Sequence, residues 1–314
     1  MDKQKFCLVG YGSHSRKRII PALSKLNCEI VGLVSKKKLS KINYKIYKTL
    51  ELAIKNVPKN TIFIINSPPD KHFEQAHKLL NHNFNIIIEK PIFIRLDQLK
   101  KIEKISNLKN KIYLEAMMYK RSKLYKKLLE IWKKNQRSIR KIDATFIIPE
   151  FPKKTFRSKK INYPVNLYDI GCYLIDLKNS LGLNLMFHEI KILNHKSKSK
   201  EIVKITFKRK DLEFKLSFGV GGNYRNHVTM YKNKKNYFRF RPFFFGRSGT
   251  RKFIEKNDKK TNTISFQEND SFINLYSETV SIHSKNRKSR FRLMSKNLTD
   301  LEFISKQYKN IINH

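Results

Sequence analysis

Residues 5–15 read Lys5-Phe6-Cys7-Leu8-Val9-Gly10-Tyr11-Gly12-Ser13-His14-Ser15. An apolar run meets two glycines spaced G-x-G, followed by a segment able to start a helix. A nucleotide-binding βαβ unit opens in this way. Gly10 would make the tight turn out of the strand. Gly12 would let the backbone approach a pyrophosphate at the helix N-terminus, where N–H groups and the dipole favour anions. Ser15 stands where the fingerprint has its third glycine. A G-x-G after an apolar run is also simply a turn, so the decision falls to the rest of the chain.

The first third alternates short apolar runs with amphipathic segments. Strands are expected at Phe6–Val9, Glu29–Val34, Thr61–Asn66, Asn85–Ile88 and Lys111–Leu114. Helices are expected near Arg16–Lys25, Leu50–Lys55, Lys71–Leu80 and Leu96–Ile105. Continuous apolar strands alternating with helices imply α/β architecture, a doubly wound parallel sheet of the Rossmann type. This domain is expected to occupy residues 1–118.

Residues 119–314 read differently. A helix at Ser122–Lys133 precedes a strand at Lys141–Ile148, a basic Pro-punctuated segment from Pro149 to Pro164, and a helix at Leu167–Leu181. Strands follow in series at His188–Leu193, Glu201–Lys208, Leu212–Gly219, His227–Tyr231 and Tyr237–Phe240, then helices near Ser271–His283 and Thr299–Ile311. The expectation is an α+β domain, with helices on one face of an open, mostly antiparallel sheet. An uncovered sheet face implies a partner, here a homo-oligomer.

Net charge is +43, from 68 basic and 25 acidic residues. Such a surface attracts phosphates non-specifically. The excess is spread along the chain, lysine predominates, and no zinc-finger or RNP-like motif is present, so specific nucleic-acid binding is not expected. The cluster Arg239-Phe240-Arg241-Pro242-Phe243-Phe244-Phe245 could form a basic-aromatic platform, but reads better as a strand end and a loop over a substrate cleft. Cys7, Cys28 and Cys172 make no metal or disulfide spacing, which suits a reducing compartment and no metal. No apolar run is long enough to span a membrane and no leader-like segment opens the sequence. The expected location is cytoplasmic.

Three further landmarks fall where an open α/β sheet binds ligands, or open a helix: Ser67-Pro68-Pro69-Asp70-Lys71-His72, Glu89-Lys90-Pro91 and Asp169-Ile170-Gly171-Cys172-Tyr173. With Gly10-Tyr11-Gly12 and Pro21-Ala22-Leu23 they occur in the order and spacing of the Gfo/Idh/MocA oxidoreductases, the glucose–fructose oxidoreductase and inositol dehydrogenase family. Phe218-Gly219 and Tyr224-Arg225-Asn226 resemble its sheet segment, and the resemblance covers nearly the whole chain. It implies hydride transfer between a nicotinamide cofactor and a sugar, sugar nucleotide or polyol. Lys90 matches the family's catalytic lysine and Asp169 its motif aspartate. Tyr173 stands where many members carry histidine. Cofactor contacts are implied at Gly10, Tyr11, Gly12, Ser13, His14, Ser67, Pro68, His72, Glu89 and Lys90. A non-catalytic relative that binds a nucleotide or sugar is the alternative.

The residue types suit this chemistry. A carbonyl becoming an alcohol gains a proton as it gains hydride. A lysine beside the nicotinamide can supply that proton, its pKa lowered by burial and nearby cations. Asp169 and Tyr173 are four apart and share one face of an α-helix. Asp169 would bind substrate hydroxyls or steady Lys90, or else cap its helix. Tyr173 would be a second proton donor or a packing tyrosine. His72 would touch cofactor or pack its own helix. The second strand ends Val34-Ser35-Lys36 with no acid for ribose hydroxyls. Ser35 and Lys36 suit a 2′-phosphate, which favours NADP over NAD.

Overall fold

A computed structural model of the chain describes residues 3–37, 42–150, 163–193, 200–280 and 287–313. They form two compact units. One is Met1–Met118 with Phe272–Phe291; the other is Tyr119–Ser271 with Arg292–His314.

The first unit holds six parallel strands: β1 (Lys5–Val9), β2 (Glu29–Val34), β3 (Ile46–Tyr47), β4 (Ile62–Ile65), β5 (Asn85–Ile88) and β6 (Tyr113–Glu115). Their order is β3-β2-β1-β4-β5-β6, the Rossmann arrangement, whose ligand crevice lies at the carboxyl ends beside the β1/β4 switch. Phe6, Cys7, Leu8, Phe63, Ile64 and Ile65 are fully buried, because helices cover both faces of a parallel sheet. These helices are α1 (Ile20–Lys25), α2 (Leu50–Asn56), α3 (Pro69–Asn81) and α4 (Leu96–Leu108). Thr49 caps α2 by accepting from the Leu52 amide at 3.3 Å.

The helix after β1 departs from expectation. Residues Ser15–Ile19 form a π turn before α1 begins. Ile20 donates its amide to the Ser15 carbonyl, and Pro21 has no amide with which to continue an α ladder back to Lys17. The first unit also recruits residues 272–291, which the sequence assigns to the second domain. The Phe272 ring meets His14 edge-on at 5.2 Å, Tyr276 meets Phe6 at 6.5 Å, and Arg287 Nε lies 3.6 Å from Glu103 Oε1.

The second unit carries α5 (Lys123–Asn135), β7 (Lys141–Ile148), a π turn at Leu167–Gly171, α6 (Cys172–Ser180) and the strands β8 (Met186–Leu193), β9 (Ile202–Arg209), β10 (Leu212–Val220), β11 (Arg225–Tyr231), β12 (Tyr237–Arg241), β13 (Gly249–Lys256) and β14 (Thr261–Glu268). Helix α7 (Ser271–Val280) then belongs to the first unit from Phe272 on, and α8 (Arg287–Asn313) to the second from Arg292 on. The eight-stranded order is β14-β13-β12-β11-β7-β10-β9-β8. Only the β7–β10 pair in it is parallel, and it brings the chain's β7 excursion back between β11 and β10. Most of the Pro149–Pro164 segment and the last residues of the Ser271–His283 helix lie outside the described residues.

Register divides this sheet by face. Phe214, Leu216, Phe218, Val228 and Phe240 are buried on one side. The other side carries Arg225, His227, Arg239 and Arg241. Burial, and then Arg239, Arg225 and Arg241, push the His227 pKa down to about 4. The folded protein therefore keeps His227 neutral below the pH at which the unfolded chain takes up its proton. Its stabilising effect is complete above about pH 6.5 and is lost as pH falls toward 4. His227→Gln is expected to flatten part of the decline in Tm across that window, as measured by thermal denaturation.

Phe240, Phe243 and Phe244 are buried. Their rings fill the interior of the second unit, so the 239–245 cluster offers no stacking platform for bases. No helix among the described residues is long and apolar enough to cross a membrane.

Candidate functional site

The first site element is the β1 turn. Gly10 has φ +101°, and a Cβ there would lie 2.7 Å from Asn66 Oδ1. Only glycine takes this backbone without strain. Ser15, in the place of the third glycine, brackets the turn. Its hydroxyl donates to the Gly10 carbonyl at 3.1 Å and accepts from the Gly12 amide at 3.2 Å and from Asn66 Nδ2 at 2.5 Å. The missing glycine is thus replaced by a hydrogen-bonded strut.

Gly12 is different. A Cβ there would meet no described atom within 4 Å, so the protein's own packing does not demand glycine. The open space above it, at the start of the helical segment, fits the diphosphate of a dinucleotide. Tyr11 is half-buried, and Ser13 and His14 are exposed at the same turn. Gly12→Ala is expected to leave Tm within about 2 °C of wild type yet weaken NADPH binding by about tenfold or more. Thermal shift and fluorescence titration measure the two effects separately.

At the end of β2, Ser35 donates its amide to the Tyr47 carbonyl at 3.0 Å, and its hydroxyl accepts from the Lys37 amide at 3.2 Å. Lys36 is exposed. At the end of β4, Ser67 donates its hydroxyl to Gln75 Oε1 at 2.6 Å, and exposed Pro68 precedes α3.

His72 requires a correction. Its side chain is fully buried. Nε2 lies 2.9 Å from the Ser67 carbonyl; Nδ1 lies 3.0 Å from that of Pro91 and 3.2 Å from that of Ile92. Burial lowers its pKa against the opposing pull of these carbonyls and Glu89. The ring staples the loop after β5 to the start of α3 and has no surface left for a cofactor.

That loop carries Glu89 and Lys90. Glu89 donates its amide to the Ile65 carbonyl at 2.8 Å. The loop's far side is held by Glu115 Oε1, which accepts from the Ile92 amide at 2.8 Å. Half-buried Lys90 is therefore presented from a backbone fixed on both sides. His14 Nε2 reaches Glu89 Oε1 at 3.0 Å. Burial pushes the Glu89 carboxyl up, but His14, Lys90 and His72 together hold it below its usual range.

In the second unit, Asp169 lies inside the π turn and is half-buried. It does not cap the helix; Asn166 occupies that position. Tyr173 is in the first turn of α6 and buried. A π turn closes i→i+5 bonds, so the α-helical stacking expected for residues four apart does not apply through it. Gly171 lets the turn sit on β10: a Cβ there would approach the Phe218 ring at 2.9 Å. The Tyr173 ring packs against Tyr119 at 5.9 Å, Phe146 at 5.8 Å and Phe244 at 6.2 Å. Helix α6 is held in place by Asp176, which accepts from Tyr119 Oη at 2.6 Å and Asn297 Nδ2 at 2.8 Å, and by Lys178, 2.9 Å from Asp300.

The fold thus gathers Gly10, Gly12, Ser15 and Asn66 at one turn, and pairs His14 with Glu89. Lys90 belongs to the first unit; Asp169 and Tyr173 belong to the second. From sequence alone, neither Asn66, which opens the landmark after β4, nor Phe272 receives a role. Asn66 had a signal, since it directly follows an apolar strand that ends at the crevice. Phe272 had none, because it reaches His14 from 258 positions later in the chain.

Comparison with known proteins agrees with the fold. Residues 4–117 match the model of an oxidoreductase family with an NAD-binding Rossmann fold, Gfo/Idh/MocA. No curated protein matches the sequence. Among solved structures, the chain is similar to KijD10, a 3-ketoreductase from Actinomadura kijaniata, in complex with NADP and TDP-benzene. TM-score is 0.83 at 13% identity, covering 96% of each chain. KijD10 with NADP gives 0.80 at 14% identity over 95% of each chain. YvaA from Bacillus subtilis gives 0.71 at 14% identity, over 98% of this chain and 97% of that one. At such identities the likeness to the solved structures is one of fold, and the likeness to the Gfo/Idh/MocA oxidoreductase family rests on residues 4–117, which match its NAD-binding Rossmann model.

Proposed function

We propose that the protein transfers hydride between a nicotinamide cofactor, NADP in preference to NAD, and a hydroxyl or keto carbon of a sugar, sugar nucleotide or related polyol. The observation that carries this reading is the carboxyl edge of the parallel sheet, where a glycine turn open above Gly12 lies alongside a Glu89-Lys90-Pro91 loop pinned by His72 and Glu115. The KijD10 complexes with NADP and TDP-benzene support the choice of cofactor and of substrate class.

When bound, the cofactor supplies or accepts the hydride. Lys90 gives a proton to, or takes one from, the reacting oxygen. Asp169 accepts hydrogen bonds from substrate hydroxyls, and Tyr173 is a second proton donor. Ser35 and Lys36 would hold the 2′-phosphate. A cytoplasmic location and a homo-oligomer formed through the open face of the second sheet belong to the same reading. The arginines of that face repel one another at low salt, so assembly should strengthen with ionic strength in sedimentation.

The test is a panel of free sugars and sugar nucleotides followed by nicotinamide absorbance with NADPH and NADP. Turnover of a keto sugar nucleotide or polyol is expected. Cofactor binding without turnover of any panel member would instead favour the non-catalytic reading. NAD binding equal to or tighter than NADP at moderate salt would remove the preference.

A further inference from the structure

His14 is out of keeping with its surroundings. A phosphate turn is usually crowded by backbone, yet a large, side-chain-exposed ring stands here, 41% open to solvent. It does two things. Its edge meets Phe272 at 5.2 Å, with planes 67° apart. Its Nε2 lies 3.0 Å from Glu89 Oε1, on a carboxylate that is 11% exposed.

The bond crosses the sheet. His14 follows β1 and Glu89 follows β5, with β4 between them. Strands in a sheet lie about 4.8 Å apart, so these two elements are separated by about 10 Å of sheet edge. A small residue at position 14 would leave Glu89 without this partner. Phe272 packs edge-on against the same imidazole.

We propose that His14 is a positioning residue for cofactor binding: it holds the Glu89 carboxylate ionised and oriented toward the cofactor crevice. This rests on the proposed function, with Glu89, one of the implied cofactor contacts, taken to accept the hydroxyls of the nicotinamide ribose. A carboxylate that accepts ribose hydroxyls must be charged and fixed, and Glu89 is buried enough to lose its charge without help. The charged or titratable groups that face it are His14 from the β1 turn, Lys90 from its own loop and His72 from α3. Lys90 is assigned to the reacting oxygen, and burial disfavours the charged form of His72. That leaves His14 as the partner committed to Glu89. The pair is not a stability device, because an ion pair with one side this exposed contributes little to folding.

The experiment measures NADPH affinity by fluorescence from pH 8 to 5.5 on the full chain, with Tm recorded for every variant. Four variants are compared with wild type: His14→Ala, His14→Gln, Glu89→Gln and the double variant His14→Ala/Glu89→Gln. His14→Ala should match wild type at pH 8, bind about tenfold more weakly at pH 5.5, and unfold within about 2 °C of wild type. His14→Gln keeps an N–H donor for Glu89 and should recover most of the acid-side affinity. Adding His14→Ala to Glu89→Gln should change nothing further, because there is no carboxylate left to hold. Affinities of His14→Ala that follow wild type at every pH overturn the proposal. So does a full additive loss in the double variant, which would mean that His14 acts on the cofactor directly. If wild-type protein binds neither NADPH nor NADH, the nicotinamide reading itself fails, which is a different result from either of these.

Discussion

Lys90→Met is expected to lower turnover by about 10²-fold or more on the substrate that the panel identifies, with cofactor affinity changed little. The size is that of general acid–base catalysis. Proton transfer matters where charge develops on the oxygen, in the transition state more than in the ground state. The backbone that presents Lys90 is held independently of its side chain. The loop that carries Lys90 is held by bonds from His72 to the Pro91 and Ile92 carbonyls and from the Ile92 amide to Glu115. None of these uses the Lys90 side chain, and methionine keeps most of its apolar stem. Steady-state kinetics with a parallel NADPH titration separate the two effects. Tyr173→Phe is the companion measurement. A smaller loss than for Lys90→Met assigns the proton to Lys90, and a larger one assigns it to Tyr173. Near-normal turnover by Lys90→Met would end the mechanism while leaving the fold untouched.

The largest effect on stability is expected from Gly219→Ala. Gly219 has φ +150°, and a Cβ there would lie 2.1 Å from the Glu201 carbonyl oxygen and 2.8 Å from Ile202 Cα. Both obstacles are backbone atoms of β9 or its approach, and β9 is paired with β10 in register, so neither can rotate aside. The sheet must part locally or lose its pairing at this edge. A cost on the order of 3 kcal/mol follows from strain plus lost ladder bonds, readable as a drop in the denaturation midpoint. A Gly219→Ala protein as stable as wild type would mean that the β9–β10 register described here is wrong.

Much of the first unit could be read from sequence, because parallel strands buried on both faces leave unbroken apolar runs. The limits of β2 and β5 fall as expected, and those of β1 and β4 lie within one residue. The two-residue β3 leaves no such run. In the second unit, strands β7 to β12 show themselves by alternation, but β13 and β14 do not. In β13 the buried positions include Arg251, which packs over the Phe245 ring at 4.8 Å and donates to the Phe245 carbonyl at 3.2 Å. A buried cation breaks the apolar signal. β14 is exposed along most of its length and has little apolar pattern to show. Helix α8 begins at Arg287, earlier than expected, because its first turns carry mostly polar residues.

At the site, motif residues could be placed on strand ends but their partners could not. Ser15 looked like a gap in a glycine fingerprint, and only its hydrogen bonds reveal it as a strut. His72 looked like a cofactor contact, and only its three carbonyl neighbours show that it is structural. Both depend on atoms from other strands, 51 positions away for Ser15 and Asn66.

The return of residues 272–291 to the first unit has a consequence for how the chain comes off the ribosome. Domains generally fold as they are synthesised, N-terminal first. Here the nucleotide-binding unit stays unfinished until nearly the whole polypeptide has emerged, because Phe6 awaits Tyr276 and His14 awaits Phe272. The second unit's sheet is complete at Glu268, before those residues appear. The second unit's sheet can therefore pair first, but that unit too waits for its last stretch, from Arg292 onward, which emerges after the segment that seals the first.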